Sequence, residues 1–174
     1  MATSKERFPI FERERFYKAF PHLTKHNHKP TSNATPEIFR PKKPYYVYNC
    51  FAFVVDDRRR FWWPDDEDSY WPRKNAPNTV EEIMSVLRDH GYEECEDEAH
   101  ENGVQKVAIF VTDGVPVHVA IQPSSRDGIW KSKMANNIDM EHELHVIETL
   151  DGDDPEFEGF GKAVRFMRLA KKQA

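Results

Sequence analysis

The chain has 174 residues, with 25 Lys and Arg against 30 Asp and Glu, two cysteines and 39% apolar positions. This length favours one domain with a substantial core. No stretch approaches the roughly 18 apolar residues a membrane helix needs and charges run through the first twenty residues, so neither a spanning segment nor a signal peptide is expected, and the cytoplasm is the default compartment. Two cysteines make no disulfide framework, and no C-x-x-C pair suggests zinc.

The net charge of -5 divides unevenly. Residues 1–44 hold ten Lys and Arg and four Glu, net +6, which leaves -11 for residues 45–174. The boundary of the expected domain follows this break, with a basic, proline-rich N-terminal arm over 1–44 and one α+β domain over 45–174. In the arm, Arg13 and Arg15 alternate with Glu12 and Glu14, and no dense Lys/Arg run appears. A solvated or self-docking arm is therefore expected rather than a nucleic-acid tail.

Ile10, Phe11, Phe16, Tyr17 and Phe20 are spaced as on a short amphipathic helix. Pro21, Pro30, Pro36, Pro41 and Pro44 then remove backbone donors and keep residues 21–44 extended, as an arm wrapped on the body. His22, His26 and His28 lack a fourth ligand, so no metal is expected there. Between Tyr45 and Trp71 stand ten of the 22 aromatic residues. Cys50 to Val55 is continuously apolar and fits either a buried strand or two buried helical turns. Trp62-Trp63-Pro64, the acidic loop Asp65 to Asp68 and Tyr70-Trp71-Pro72 read as turn-like pieces clamped on the body.

Residues 79–90 are the clearest helix, with Thr79 at the N-cap, Glu82 three residues on, an apolar face of Ile83, Val86 and Leu87, and Gly91 as the stop. Lys106 to Val111 and Val115 to Gln122 flank Thr112-Asp113-Gly114, which predicts a hairpin. A third strand is expected from Ile129 to Lys133 after Asp127-Gly128. Residues 137–150 stay ambiguous, and 162–170 fit a strand or a helix. The layout is α+β, N-terminal helices packed on a small, mainly antiparallel sheet.

Chemistry centres on Cys50. A helix start favours a thiolate, and Asn49-Cys50 stands where a buried helix would open. In the second hairpin strand, alternation sets His118, Ala120 and Gln122 on one face and Val117, Val119 and Ile121 on the other. Cys50 is thus the candidate nucleophile and His118 the candidate base. Cys95, among Glu93, Glu94, Glu96 and Asp97, is a poor nucleophile because the acids raise its pKa. Ser132-Lys133 lacks the glycine-rich elbow of a serine nucleophile.

The order of cysteine, histidine and downstream polar residue resembles the papain-like and NlpC-type cysteine peptidases. More closely, Asn49-Cys50-x-Ala52-Phe53, Trp62-Trp63-Pro64, Tyr70-Trp71-Pro72, His118-x-Ala120-x-Gln122, Trp130-x-Ser132-Lys133 and Glu141-His142 resemble a bacterial domain-of-unknown-function family over about residues 45–168. The papain-like resemblance implies a papain-like layout and a peptidase or amidase working through a thioester. Asn136, Asp139, Glu141 and His142 are open as its third member, with His142 favoured; Asn49, Asp139 and Glu141 are orienting or oxyanion candidates, Tyr48 a further one. Trp63, Tyr70, Trp71 and Trp130 would line the substrate cleft. No cofactor and no metal is expected. The alternative is a non-catalytic module that binds a protein through the aromatic cluster and acidic loops, with Cys50 in the core. Under either reading the partner is protein or peptide, not nucleic acid or membrane, because the body is acidic. The oligomeric state is open.

Overall fold

The computed structural model describes residues 17–23, 28–30, 48–134, 139–154 and 159–170. Within them lie a short strand β1 (His28–Pro30), helices α1 (Cys50–Val54) and α2 (Val80–Asp89), strands β2 (Glu93–Cys95), β3 (Val104–Thr112), β4 (Val115–Gln122), β5 (Trp130–Lys133) and β6 (Asp139–His142), a 3-10 turn at Leu144–Ile147, and β7 (Lys162–Ala170). The strands form one sheet in the order β1-β6-β5-β4-β3-β7-β2, and every pairing is antiparallel. The class is α+β. The helical part is small, α1 having five residues and α2 ten.

Local chemistry accounts for the elements that were legible. Thr79 accepts from the backbone N–H of Glu82 and starts α2, whose Ile83, Met84, Val86 and Leu87 are buried. Between β3 and β4, Asp113 (φ 51°) and Gly114 (φ 78°) both adopt positive φ, the two-residue turn whose twist matches a hairpin. Residues 162–170 are a strand because β3 pairs with them along nearly its whole length. In the ambiguous stretch, Asp139–His142 pairs with β5 and the 3-10 turn follows. Of the helix expected from Ile10 to Phe20, residues 17–19 are helical, Phe20 is not, and the rest lies outside the described residues.

The sheet buries both faces. One face carries Ala108, Phe110, Ala120, Trp130 and Met140, packed with Phe20, Leu23, Met134, Leu144 and Ile147. The opposite face carries Val107, Ile109, Val119 and Met167, covered by Cys50, Phe51, Ala52 and Val54 of α1 and by the apolar side of α2. They are called here the arm face and the helix face. At about 25 cal/mol per Å² of apolar surface, two such layers supply most of the driving force for folding.

Phe20 and Leu23 are buried on the arm face, the Phe20 ring 5.2 Å from that of Phe160, and β1 pairs with β6. The described part of residues 1–44 is docked on the body.

Candidate functional site

Each expected site residue takes its position from a particular element. Asn49 caps α1: its Oδ1 accepts from the N–H of Ala52 and of Trp62, and its Nδ2 donates to the carbonyl of Trp62. The side chain behaves like a strand edge, joining the start of α1 to the Trp62 segment, and all three bonds are structural. That segment is closed again at Trp62 and Tyr70, which form an isolated bridge. Trp62 is buried, its indole N–H donating to Asp57 at 3.0 Å, while Trp63, Tyr70 and Trp71 are half-buried. Asp57 also accepts from the Arg59 N–H and from Arg60 Nε. The Trp62 hydrogen bond, followed by those of Arg59 and Arg60, outweighs burial and holds its carboxyl well below the usual range.

Cys50 is 5% exposed and packs on the helix face with Val119. Burial pushes its thiol up to about 11; backbone N–H groups of Val119, Phe51 and Cys50 itself pull it the other way and do not prevail. At neutral pH the group is a thiol. The second cysteine, Cys95, is half-buried on β2, and burial with the charges of Glu101 and Asp97 raises its pKa against the pull of Lys106 and Arg168.

His118 is on the arm face. Its ring lies 5.4 Å from that of Phe110, its cross-strand partner, and stacks on Phe160 at 4.0 Å with planes 6° apart. Since Val119 lies on the helix face with Cys50 and His118 on the other, the sheet itself separates the expected nucleophile from the expected base. The Cys50–His118 pair anticipated from chain order is not assembled.

The structure does bring His118 and His142 together, through Ser132. His118 Nε2 is 2.9 Å from Ser132 Oγ, which is 2.7 Å from His142 Nε2, and His142 Nδ1 is 2.7 Å from the carbonyl oxygen of Glu143. A carbonyl only accepts, so His142 Nδ1 carries hydrogen. Ser132 Oγ stands between the two rings and can donate to one while accepting from the other. His118 Nδ1 is buried and has no hydrogen-bond partner among the described residues. Burial, and secondarily the charge of His142, lowers the His118 pKa well below its ordinary value, so this ring is neutral. Exposures of 0% for His118 and Ser132 and 1% for His142 leave the relay no opening to a substrate.

The other candidates separate in the same way. Asp139 lies on the helix face and accepts from the Tyr48 hydroxyl at 2.7 Å. Lys133, paired with it across the strands, stands 4.5 Å from the centre of the Tyr48 ring, and burial with the charge of Arg58 lowers its pKa against the pull of Asp139. Glu141 is an ion-pair partner of Arg126 and Lys131. Trp130 is buried on the arm face, across the sheet from Trp63, Tyr70 and Trp71. Asn136, His26 and residues 45–47 lie outside the described residues. Ser132 is the member to which sequence reasoning gave no role; the alternation in Trp130-x-Ser132 sets it on the face opposite Lys133, but only the β4–β5–β6 pairing sets it between two histidines.

A surface cavity of about 280 Å³ lined by Glu94, Cys95, Glu96, Val164, Arg165 and Phe166 includes none of Cys50, His118, Ser132 and His142. Among the described residues, no three or more His, Cys, Asp and Glu side chains are grouped to hold a metal ion, and no helix is long and apolar enough to cross a membrane.

Fold and site together define a small antiparallel α+β domain in which His118, Ser132 and His142 form a buried polar network. The chain belongs to the family described as a domain of unknown function, DUF7689, whose model matches residues 39–168. No curated protein and no solved structure matches it.

Proposed function

We propose that this domain is a non-catalytic protein-interaction module. The reading is carried by the placement of Cys50 and His118 on opposite faces of one sheet. A papain-like hydrolase needs thiol and imidazole within hydrogen-bond reach, and support for that layout stops at residue order. Cys50, Ser132, His118 and His142 then serve as core.

The surface best suited to binding is the tongue over residues 63–69. Asp65, Asp66, Glu67 and Asp68 are exposed on it, the half-buried Trp63, Tyr70 and Trp71 lie along its base, and the Trp62–Tyr70 bridge closes it. Arg60 lies 3.5 Å from the centre of the Tyr70 ring and helps to fix that base. Half-buried aromatics beside charge suit a protein surface, and the acidic body disfavours nucleic acid. Both cysteines are free, which supports the reducing cytoplasm as its compartment.

The test combines thiol chemistry with partner capture. In the native protein iodoacetamide should modify Cys95 before Cys50, and the two should react alike in urea; rapid labelling of Cys50 at mildly acidic pH would overturn the non-catalytic reading. A Cys50→Ala variant should retain the cross-linked partners of the wild type. Replacing Asp65, Asp66, Glu67 and Asp68 together by Asn should lose them, and retention would remove the tongue from the account.

A further inference from the structure

The basic arm is seated on two adjoining parts of the body. Its residues 17–23 place Phe20 against Phe160 and bury Leu23, and His22 Nε2 stands 2.9 Å from Asp153 Oδ1. Its strand β1 lies along the edge of β6, with His28 opposite His142, Lys29 opposite Glu141 and Pro30 opposite Met140. Both places border the relay, because Phe160 covers the His118 ring and β6 carries His142. The arm thus covers a β6 edge and a Phe160 ring that the body would otherwise present unpaired.

Three observations bear on what this groove accepts. The family model begins at residue 39, so the groove residues belong to the matched domain while the occupant lies before it. Residues 17–30 contain three lysines, three histidines and no acid, against a body of net charge -11. Among the described residues the attachment consists of a three-residue strand, the buried Phe20 and Leu23 and the partly buried Tyr17 and Ala19, and Pro30 gives the ladder no N–H. Backbone pairing along a strand edge accepts many sequences, and side-chain pockets supply the choice.

We propose that the β6 edge and the adjoining Phe160 face form a docking groove for an extended basic peptide. Its anchors would be an aromatic residue, a Leu three positions later and a short strand beyond them, and residues 17–23 and 28–30 are an intramolecular occupant that competes with such a partner. The seventeen residues from 31 to 47 can span roughly 60 Å when extended, so the arm has the reach to leave while the body stays folded. A tether of this kind gives an effective concentration on the order of millimolar, which a partner must overcome.

The full chain, with a protease site placed between residues 31 and 40, tests this without touching the core. After cleavage, a fluorescent peptide of the sequence Tyr17 to Pro30 should bind at least ten-fold more tightly than to the uncut protein. The same peptide carrying Phe20→Ala and Leu23→Ala should lose at least ten-fold. Equal binding before and after cleavage, or an arm that excess peptide never replaces, would make residues 17–30 a fixed part of the core and overturn the proposal. Unfolding of the nicked protein on loss of its arm would do the same. Any of these results leaves the assignment of Cys50 standing, because thiol accessibility is read separately.

Discussion

Replacing Asn49 by Ala separates a structural from a catalytic role at the start of α1. The side chain makes three hydrogen bonds, from Ala52 N–H at 3.2 Å, from Trp62 N–H at 3.1 Å and to the Trp62 carbonyl at 2.9 Å. A typical intramolecular hydrogen bond contributes about 1 kcal/mol net, and loss of an N-cap costs about as much. The expected destabilisation is about 3 kcal/mol, or a fall in Tm of roughly 6–12 °C for a chain of this size. Urea titration followed by tryptophan fluorescence should show a lower midpoint at unchanged slope, since Trp62 stays in the core until global unfolding. Asn49→Asp keeps the oxygen that caps α1 and loses the donor to Trp62, so its cost should be smaller. A loss under about 1 kcal/mol for Asn49→Ala would refute the claim that this amide joins the two segments, and would return it to the oxyanion role the sequence suggested.

Gly161 provides a steric test: at φ +65° an added Cβ would lie 1.8 Å from the Val111 carbonyl oxygen, so Gly161→Ala should cost more than about 4 kcal/mol. Gly114, at φ +78° in open space, bears only backbone strain of about 1–2 kcal/mol, and thermal unfolding of the two alanine variants should show this gap. The histidines predict opposite pH responses. His118 has a depressed pKa in the fold, so its unfolded form takes up a proton that the folded form refuses; its contribution is present above the ordinary histidine pKa and is lost progressively as pH falls below it. His145 moves the other way, because Glu148 and Glu98 outweigh its burial, so its contribution is present below the ordinary histidine pKa and disappears as pH rises through the raised one. Imidazole NMR from pH 5 to 8 should show His145 titrating and His118 silent, and a His118 midpoint at or above 6.5 would count against the buried neutral relay.

What could be read in advance was what neighbouring residues decide. Thr79 with its cap, the apolar face of α2 and the Asp113-Gly114 turn are short-range signals, and all three elements formed. The alternation in β4 correctly separated His118 from Val119. Beyond this the reading needed partners distant in sequence. Glu93-Glu94-Cys95 has no strand composition, and it is extended because β7 pairs with it from more than seventy residues away. Which face of the sheet α1 covers is likewise a tertiary matter, so the order Cys50 then His118 could not reveal that a layer of backbone stands between them. That the chain carries a domain of unknown function is shown by the match over residues 39–168, and within it Asn49 is joined to Trp62 by two hydrogen bonds that no local pattern announces.

The sheet order has a consequence for synthesis. Strands β3 to β6 are sequential neighbours with short connections, a low-separation meander that can form early. The arm leaves the ribosome first, yet β1 has nothing to pair with until β6 appears more than a hundred residues later. At roughly 5–20 residues per second that wait is about 6–20 s. For this interval the basic segment is available to other molecules before its own chain can take it up.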